Sequence, residues 1–146
     1  MKVISRFFAR AILLLVCIVH SFSLFAADNN SHQNAVSKVY EMRTYHTHDG
    51  KLDALHARFR DHTHEIFGRL GMKVVAYWTP TKSPDSENTL IYILEHDSEQ
   101  DAKNKWETFI ADPDWVKAYK KSKINGDLVK TIDVVFLHKT DFSPSL

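Results

Sequence analysis

Hydrophobic and polar positions along this chain alternate between two periods, one near 3.6 residues and one near 2. Between Lys51 and Gly71, the residues Leu52, Leu55, Phe59, Ile66 and Leu70 recur at helical spacing and predict one amphipathic helix from Leu52 to Leu70. Plotted at about 100° per residue, Leu52, Phe59 and Leu70 lie within about 20° of each other. Thr63 falls about 20° and His56 about 40° from the centre of that stripe, while His62 lies about 80° away, on its edge beside Ile66. Polar groups carried toward a core need partners there, so His56, His62 and Thr63 stand out on the inner side of this helix. Asp49 is placed to cap its start and Gly71 to end it.

The remaining segments alternate with period 2. Val39 to Thr47, VYEMRTYHT, predicts a strand with Val39, Glu41, Arg43, Tyr45 and Thr47 on one face and Tyr40, Met42, Thr44 and His46 on the other. Met72 to Thr79 predicts a second strand, with Val74, Ala76 and Trp78 sharing one face and Val75 and Tyr77 the other. A loop rich in proline and turn formers leads to a third strand, Thr89 to His96, apolar on both faces. Ser98 to Asp101 resembles a capping box and starts a second helix, with Ala102, Trp106, Phe109 and Ile110 inward. Asp112-Pro113 restarts a short helix carrying Trp115, Val116 and Tyr119. Leu128 to Leu137 is the fourth strand. The order is β-α-β-β-α-β, an α+β, ferredoxin-like arrangement with an antiparallel four-stranded sheet and one small extra helix. Helices on such a sheet cover one face only, and a second copy of the sheet, as a homodimer, is the simplest cover for the other.

Before Val39 the pattern changes in kind. Lys2, Arg6 and Arg10 precede an apolar run from Ala11 to Val19, continued by Phe22, Leu24 and Phe25 and ended by Ala26-Ala27 before polar residues. Residues 1–27 therefore read as a signal peptide cut near Ala26 or Ala27, which predicts an exported, periplasmic or extracellular protein with no stable membrane insertion after cleavage. The competing reading is an uncleaved anchor, but His20, Ser21 and Ser23 interrupt its apolar run. Residues 28–37 read as a polar, flexible linker, 38–140 as the folded domain and 141–146 as a tail. Cys17, the only cysteine, lies in the signal segment, so the mature chain offers no disulfide and no thiolate ligand. A net charge of +1 with interspersed signs gives no basic stripe for nucleic acid.

Candidate chemistry is sparse. Glu41 and Arg43 share a face of a strand that should be central, so they form either a structural ion pair or, in the case of Arg43, a clamp for an anion. His46 and His48 have the spacing of two metal ligands on a strand, but no cysteine assists, the third ligand would have to be His62, His96 or a carboxylate from elsewhere, and no metal site is assigned. His62 and His64 point about 200° apart on a helix and cannot chelate together. No nucleophile elbow, phosphate-binding loop, dinucleotide fingerprint or HExxH motif is present. No catalytic residue and no cofactor can be assigned. His56 and His62 are either satisfied core histidines or polar spots in a cleft with Tyr45, Tyr77, Trp78, Tyr92 and His96. The ligand-binding candidates are thus His62, His56, Arg43, Tyr45, Trp78 and His96.

VYEMRTY followed by GKL, AYW on the second strand, and ADPDW after the second helix, in this order, resemble the NIPSNAP family of the dimeric α/β-barrel superfamily. The resemblance runs from about Val39 to Lys139. Its Glu-x-Arg-x-Tyr falls on Glu41, Arg43 and Tyr45, and its Asp-Pro-x-Trp on Asp112, Pro113 and Trp115. The family often has a glycine where Ala76 stands, and Trp and Tyr where Leu94 and His96 stand. The resemblance implies a homodimer and carries no catalytic residue set. Together with the signal peptide, it points to an exported, dimeric binding or accessory protein with a small-molecule ligand. The alternative, drawn from the wider superfamily, is a cofactor-independent or haem-linked enzyme working in a cleft between sheet and helices.

Overall fold

The computed structural model describes residues 38–145; residues 1–37, read above as signal peptide and linker, and the last residue of the tail lie outside the described residues. The elements are β1 (Val39–Thr47), α1 (Leu52–Arg58), a π turn (Phe59–Thr63), α2 (His64–Arg69), β2 (Lys73–Trp78), a 3-10 turn (Asp85–Glu87), β3 (Thr89–His96), α3 (Glu99–Ala111), α4 (Pro113–Ser122) and β4 (Val129–His138). The sheet is antiparallel throughout, in the order β2-β3-β1-β4. This is the ferredoxin-like α+β arrangement expected from the pattern, with β1 and β3 central.

Local chemistry sets several of the boundaries. Ser98 caps α3 by accepting from the Asp101 amide at 3.0 Å, while the Asp101 carboxylate accepts from the Asp97 amide at 3.1 Å. Asp112 caps α4 by accepting from the amides of Asp114 and Trp115, with Pro113 in the first turn. Gly71 ends the long helix at φ +69°, a left-handed conformation that glycine adopts without strain. Asp49 does not cap that helix: Lys51 holds the N-cap position and makes no side-chain cap bond.

Two local insertions shift faces that a regular pattern would predict. The π turn adds about one residue to the helical count, which turns everything after it back by about 100° relative to a regular helix. Leu70, at the centre of the regular stripe, is thereby left only partly buried, while Phe67 is buried. Arg58, His62 and Ile66 lie on the side facing α4, and His56, Arg60 and His64 line up four residues apart on the side facing β2. In β2, Val74 pairs with Leu94 but Ala76 with Ile93, so a bulge absorbs Val75. Val74 and Tyr77 therefore both face the helices, across from Leu94 and Tyr92, whereas the uninterrupted alternation separated them.

The core lies between the helices and one sheet face. Tyr45, Leu55, Phe59, Phe67, Tyr92, Leu94 and Phe109 are its centre, and edge-on aromatic pairs join Tyr45, Phe59, Tyr92 and Phe67. Ile110, expected inward, is solvent-exposed, because α3 turns Ala102 and Phe109 to the core instead. Cross-strand register puts Met42, Ile93 and Val135 together on the opposite face, where each is only partly covered or exposed. Along edge strand β4, the residues Ile132, Val134, Val135, Phe136 and Leu137 are 37–44% exposed.

Candidate functional site

On β1 the alternation turns Glu41, Arg43 and Tyr45 toward the helices. The Glu41 carboxylate is buried to 1% exposure and is caged by three donors: Arg43 Nη1 at 2.6 Å, Trp106 Nε1 at 2.7 Å and His96 Nε2 at 3.0 Å. Burial alone would push this carboxyl upward, but hydrogen bonds from His96, Trp106 and Arg43 hold it below the usual glutamate range. The Arg43 guanidinium also lies 4.2 Å over the Trp106 ring. Glu41 and Arg43 thus form the structural ion pair that their shared strand face suggested, and His96 belongs to that cage rather than to an open cleft.

A first cleft opens beside this cage. It encloses about 410 Å³ and is lined by Tyr45, Phe59, Phe67, Trp106, Phe109, Trp115 and Tyr119, with Arg58 and Thr63 from the long helix and Val129 to Ile132 from β4. The Trp115 of the ADPDW run reaches it because Asp112 anchors α4. Arg69 grips Asp112 with two nitrogens at 2.9 and 3.1 Å, which ties the start of α4 to the end of α2. Tyr45 is fixed by the Tyr92 hydroxyl, which donates to it at 3.0 Å, and burial holds the Tyr92 phenol well above its ordinary pKa. Arg58 is the polar anomaly of this cleft. It is 5% exposed, lies 5.2 Å over Trp115 and 5.5 Å over Tyr119, and burial lowers its pKa from the ordinary arginine value.

A second, more open groove of about 490 Å³ lies at the β2 edge, lined by His56, Arg60, His64, Tyr77, Trp78 and Thr79 over a floor of Phe59 and Leu90. His64 Nδ1 is 3.1 Å from the Tyr77 hydroxyl. Burial pushes the Tyr77 phenol up to about 12, so it remains a hydrogen-bond donor at neutral pH. His56 Nε2 is 3.4 Å from the Thr79 hydroxyl.

The six sequence-based candidates therefore separate. His56 and Trp78 border the groove, Tyr45 lines the aromatic cleft, and Arg43 and His96 sit in the cage behind it. His62 is exposed on the α4 side, away from the sheet, because the π turn rotates it off the edge of the inner stripe. Sequence reasoning missed Arg58, which lies one residue off the apolar stripe and bears no mark of burial. It also missed the alignment of Arg60 and His64 with His56. His46 is held by Thr89 at 3.2 Å and Asp133 at 3.4 Å. No group of three or more potential metal ligands comes together among the described residues. Among the same residues, no helix is long and apolar enough to cross a membrane.

Fold and cleft together define an α+β sheet-and-helix protein with an aromatic pocket under its helical layer. The family model for NIPSNAP matches residues 40–144, and the chain belongs to that family. A NIPSNAP family protein of unknown function from Agrobacterium tumefaciens is 26% identical, with 75% of this chain and 95% of that one covered at a TM-score of 0.64. An uncharacterized NIPSNAP-like domain protein from Burkholderia xenovorans is 18% identical, covering 75% of this chain and 91% of its own at a TM-score of 0.65. A second Agrobacterium tumefaciens NIPSNAP family protein is 20% identical, covering 73% and 90% at 0.64. No curated protein matches significantly.

Proposed function

We propose that this protein is an exported homodimer that binds a small organic molecule in the aromatic cleft between its helices and sheet. The observation that carries the reading is the cleft itself: about 410 Å³, walled by seven aromatic side chains and left open beside a close-packed core. Ligand sites are concave, mostly apolar and furnished with a few polar groups, and a close-packed interior keeps such space only rarely. Export is supported by the charged, apolar and small-residue order of residues 1–27. Dimerisation is supported by the second sheet face and by β4, whose apolar side chains another copy would cover.

Native mass spectrometry of the protein from its own host tests both parts. The expected result is twice the protomer mass with a small organic molecule retained, released on unfolding. Trp115→Ala, which opens one wall of the cleft, should lose that molecule while leaving the dimer. Retention of the same molecule by Trp115→Ala, at native affinity, would move the ligand out of this cleft. A clean monomer at micromolar concentration would remove the dimer from the proposal.

A further inference from the structure

Arg58 makes one hydrogen bond, from Nη1 to the Ser122 hydroxyl at 3.2 Å. Ser122 is itself oriented to accept it, because its own hydrogen is donated to the Tyr119 carbonyl at 2.8 Å. The buried Nε has no partner, and no carboxylate lies within ion-pair distance of Arg58 among the described residues. A buried charge without a counter-charge is costly, and charged groups in such places are ordinarily paired. The two rings of Trp115 and Tyr119 and the Ser122 bond to Nη1 hold the guanidinium in place. What remains free is the edge carrying Nε–H and the neighbouring Nη2–H. That edge of an arginine matches the two oxygens of a carboxylate. No Asp or Glu lines the cleft, and Lys130 adds a second positive charge to its lining.

Resting on the cleft being a ligand site, we propose that its ligand is an aromatic carboxylic acid, with the carboxylate bound by the free edge of Arg58 and the ring held among Tyr45, Trp106 and Trp115. The carboxylate supplies the counter-charge that the chain itself withholds. The aromatic walls supply the apolar part of the affinity, which a small inorganic anion would not use.

The test compares 1-naphthylacetate with its neutral isostere 1-naphthylacetamide by isothermal titration calorimetry on the purified full protein. The acid should bind about tenfold or more tightly than the amide, the worth of one charge-assisted hydrogen-bonded pair. Arg58→Gln should bring the acid to within about threefold of the amide while amide binding is kept. Arg58→Lys, which keeps the charge but loses the fork, should fall between them. Equal binding of acid and amide to the native protein would overturn the carboxylate proposal and leave the cleft reading standing. Undiminished preference for the acid in Arg58→Gln would overturn it as well, placing recognition elsewhere. Failure of both compounds to bind would overturn the proposal and the cleft reading together. The native comparison decides the matter even where a variant fails to fold.

Discussion

Replacing Glu41 by alanine removes the hub of the buried cage, and the loss can be worked out donor by donor. The carboxylate is 1% exposed and accepts from Arg43 at 2.6 Å, Trp106 at 2.7 Å and His96 at 3.0 Å. Hydrogen bonds to a charged group are worth about 1.5–3 kcal/mol each, but those sharing one acceptor do not add. Without Glu41, the Arg43 guanidinium keeps its charge with no counter-charge, and its Nε is already unpartnered. His96, whose Nδ1 is buried without a partner, would lose its remaining bond as well. Breaking a buried ion pair from one side costs about 3–5 kcal/mol. For a domain of about 100 residues that corresponds to a fall in Tm of about 20 °C. Urea unfolding followed by tryptophan fluorescence measures it, with Trp106 reporting on the cage directly. Glu41→Ala/His96→Ala should cost at least about 1 kcal/mol less than the sum of the single variants. A loss below about 1 kcal/mol in Glu41→Ala, or strict additivity in the pair, would refute the account of the cage.

The pH dependence comes from the same group. Because the folded Glu41 pKa is lowered, its stabilisation is fully present above the ordinary glutamate range and is lost as pH falls through the depressed value; Glu41→Gln should flatten that acid limb in melts taken from neutral pH downward. Phe59→Ala should destabilise by about 3–5 kcal/mol, read as a shifted urea midpoint, since Phe59 packs on Tyr45, Tyr77 and Tyr92 and separates the two clefts. His62→Ala, exposed on the α4 side, should leave the midpoint within about 0.5 kcal/mol and leave binding in the aromatic cleft unchanged by calorimetry. Mass spectrometry of the protein purified from its host should give an N-terminus just after Ala26 or Ala27, and a retained Met1 would mean an anchor.

Elements and their order were legible because each strand and helix carries its own periodicity and its own punctuation. Asp112-Pro113 and Gly71 mark two boundaries by chemistry that acts within a few residues. Faces were less legible wherever the backbone departs from a regular count. The π turn and the bulge at Val75 have no compositional mark, yet each rotates or reverses the side chains that come after it in the chain. His62 was drawn to the edge of the inner stripe, and Leu70 to its centre, for that one reason. The site suffered in proportion. Glu41 and Arg43 announce themselves as charges on a central strand, and their pairing was foreseeable. Arg58 reads as an ordinary basic residue of a solvated helix face, and only packing shows that α4 closes over it.

The pairing of β1 with β4 sets a kinetic condition on the cleft. Val39 meets His138, and these partners stand about 100 residues apart, the longest closure in the sheet. The β1–β3 pairing spans about half that distance, and doubling a loop adds only about 0.6 kcal/mol of closure entropy. What separates the two is what each closure gains: β3 lands in the buried centre of the sheet, while most of β4 is exposed in a single protomer. Within one protomer the β1–β4 closure is thus the longer and the less rewarded of the two, and is expected to form after β1–β3. Val129 to Ile132 are both part of that strand and one wall of the aromatic cleft, so a second copy seated on β4 would also steady the pocket wall that gains least from burial within a single protomer.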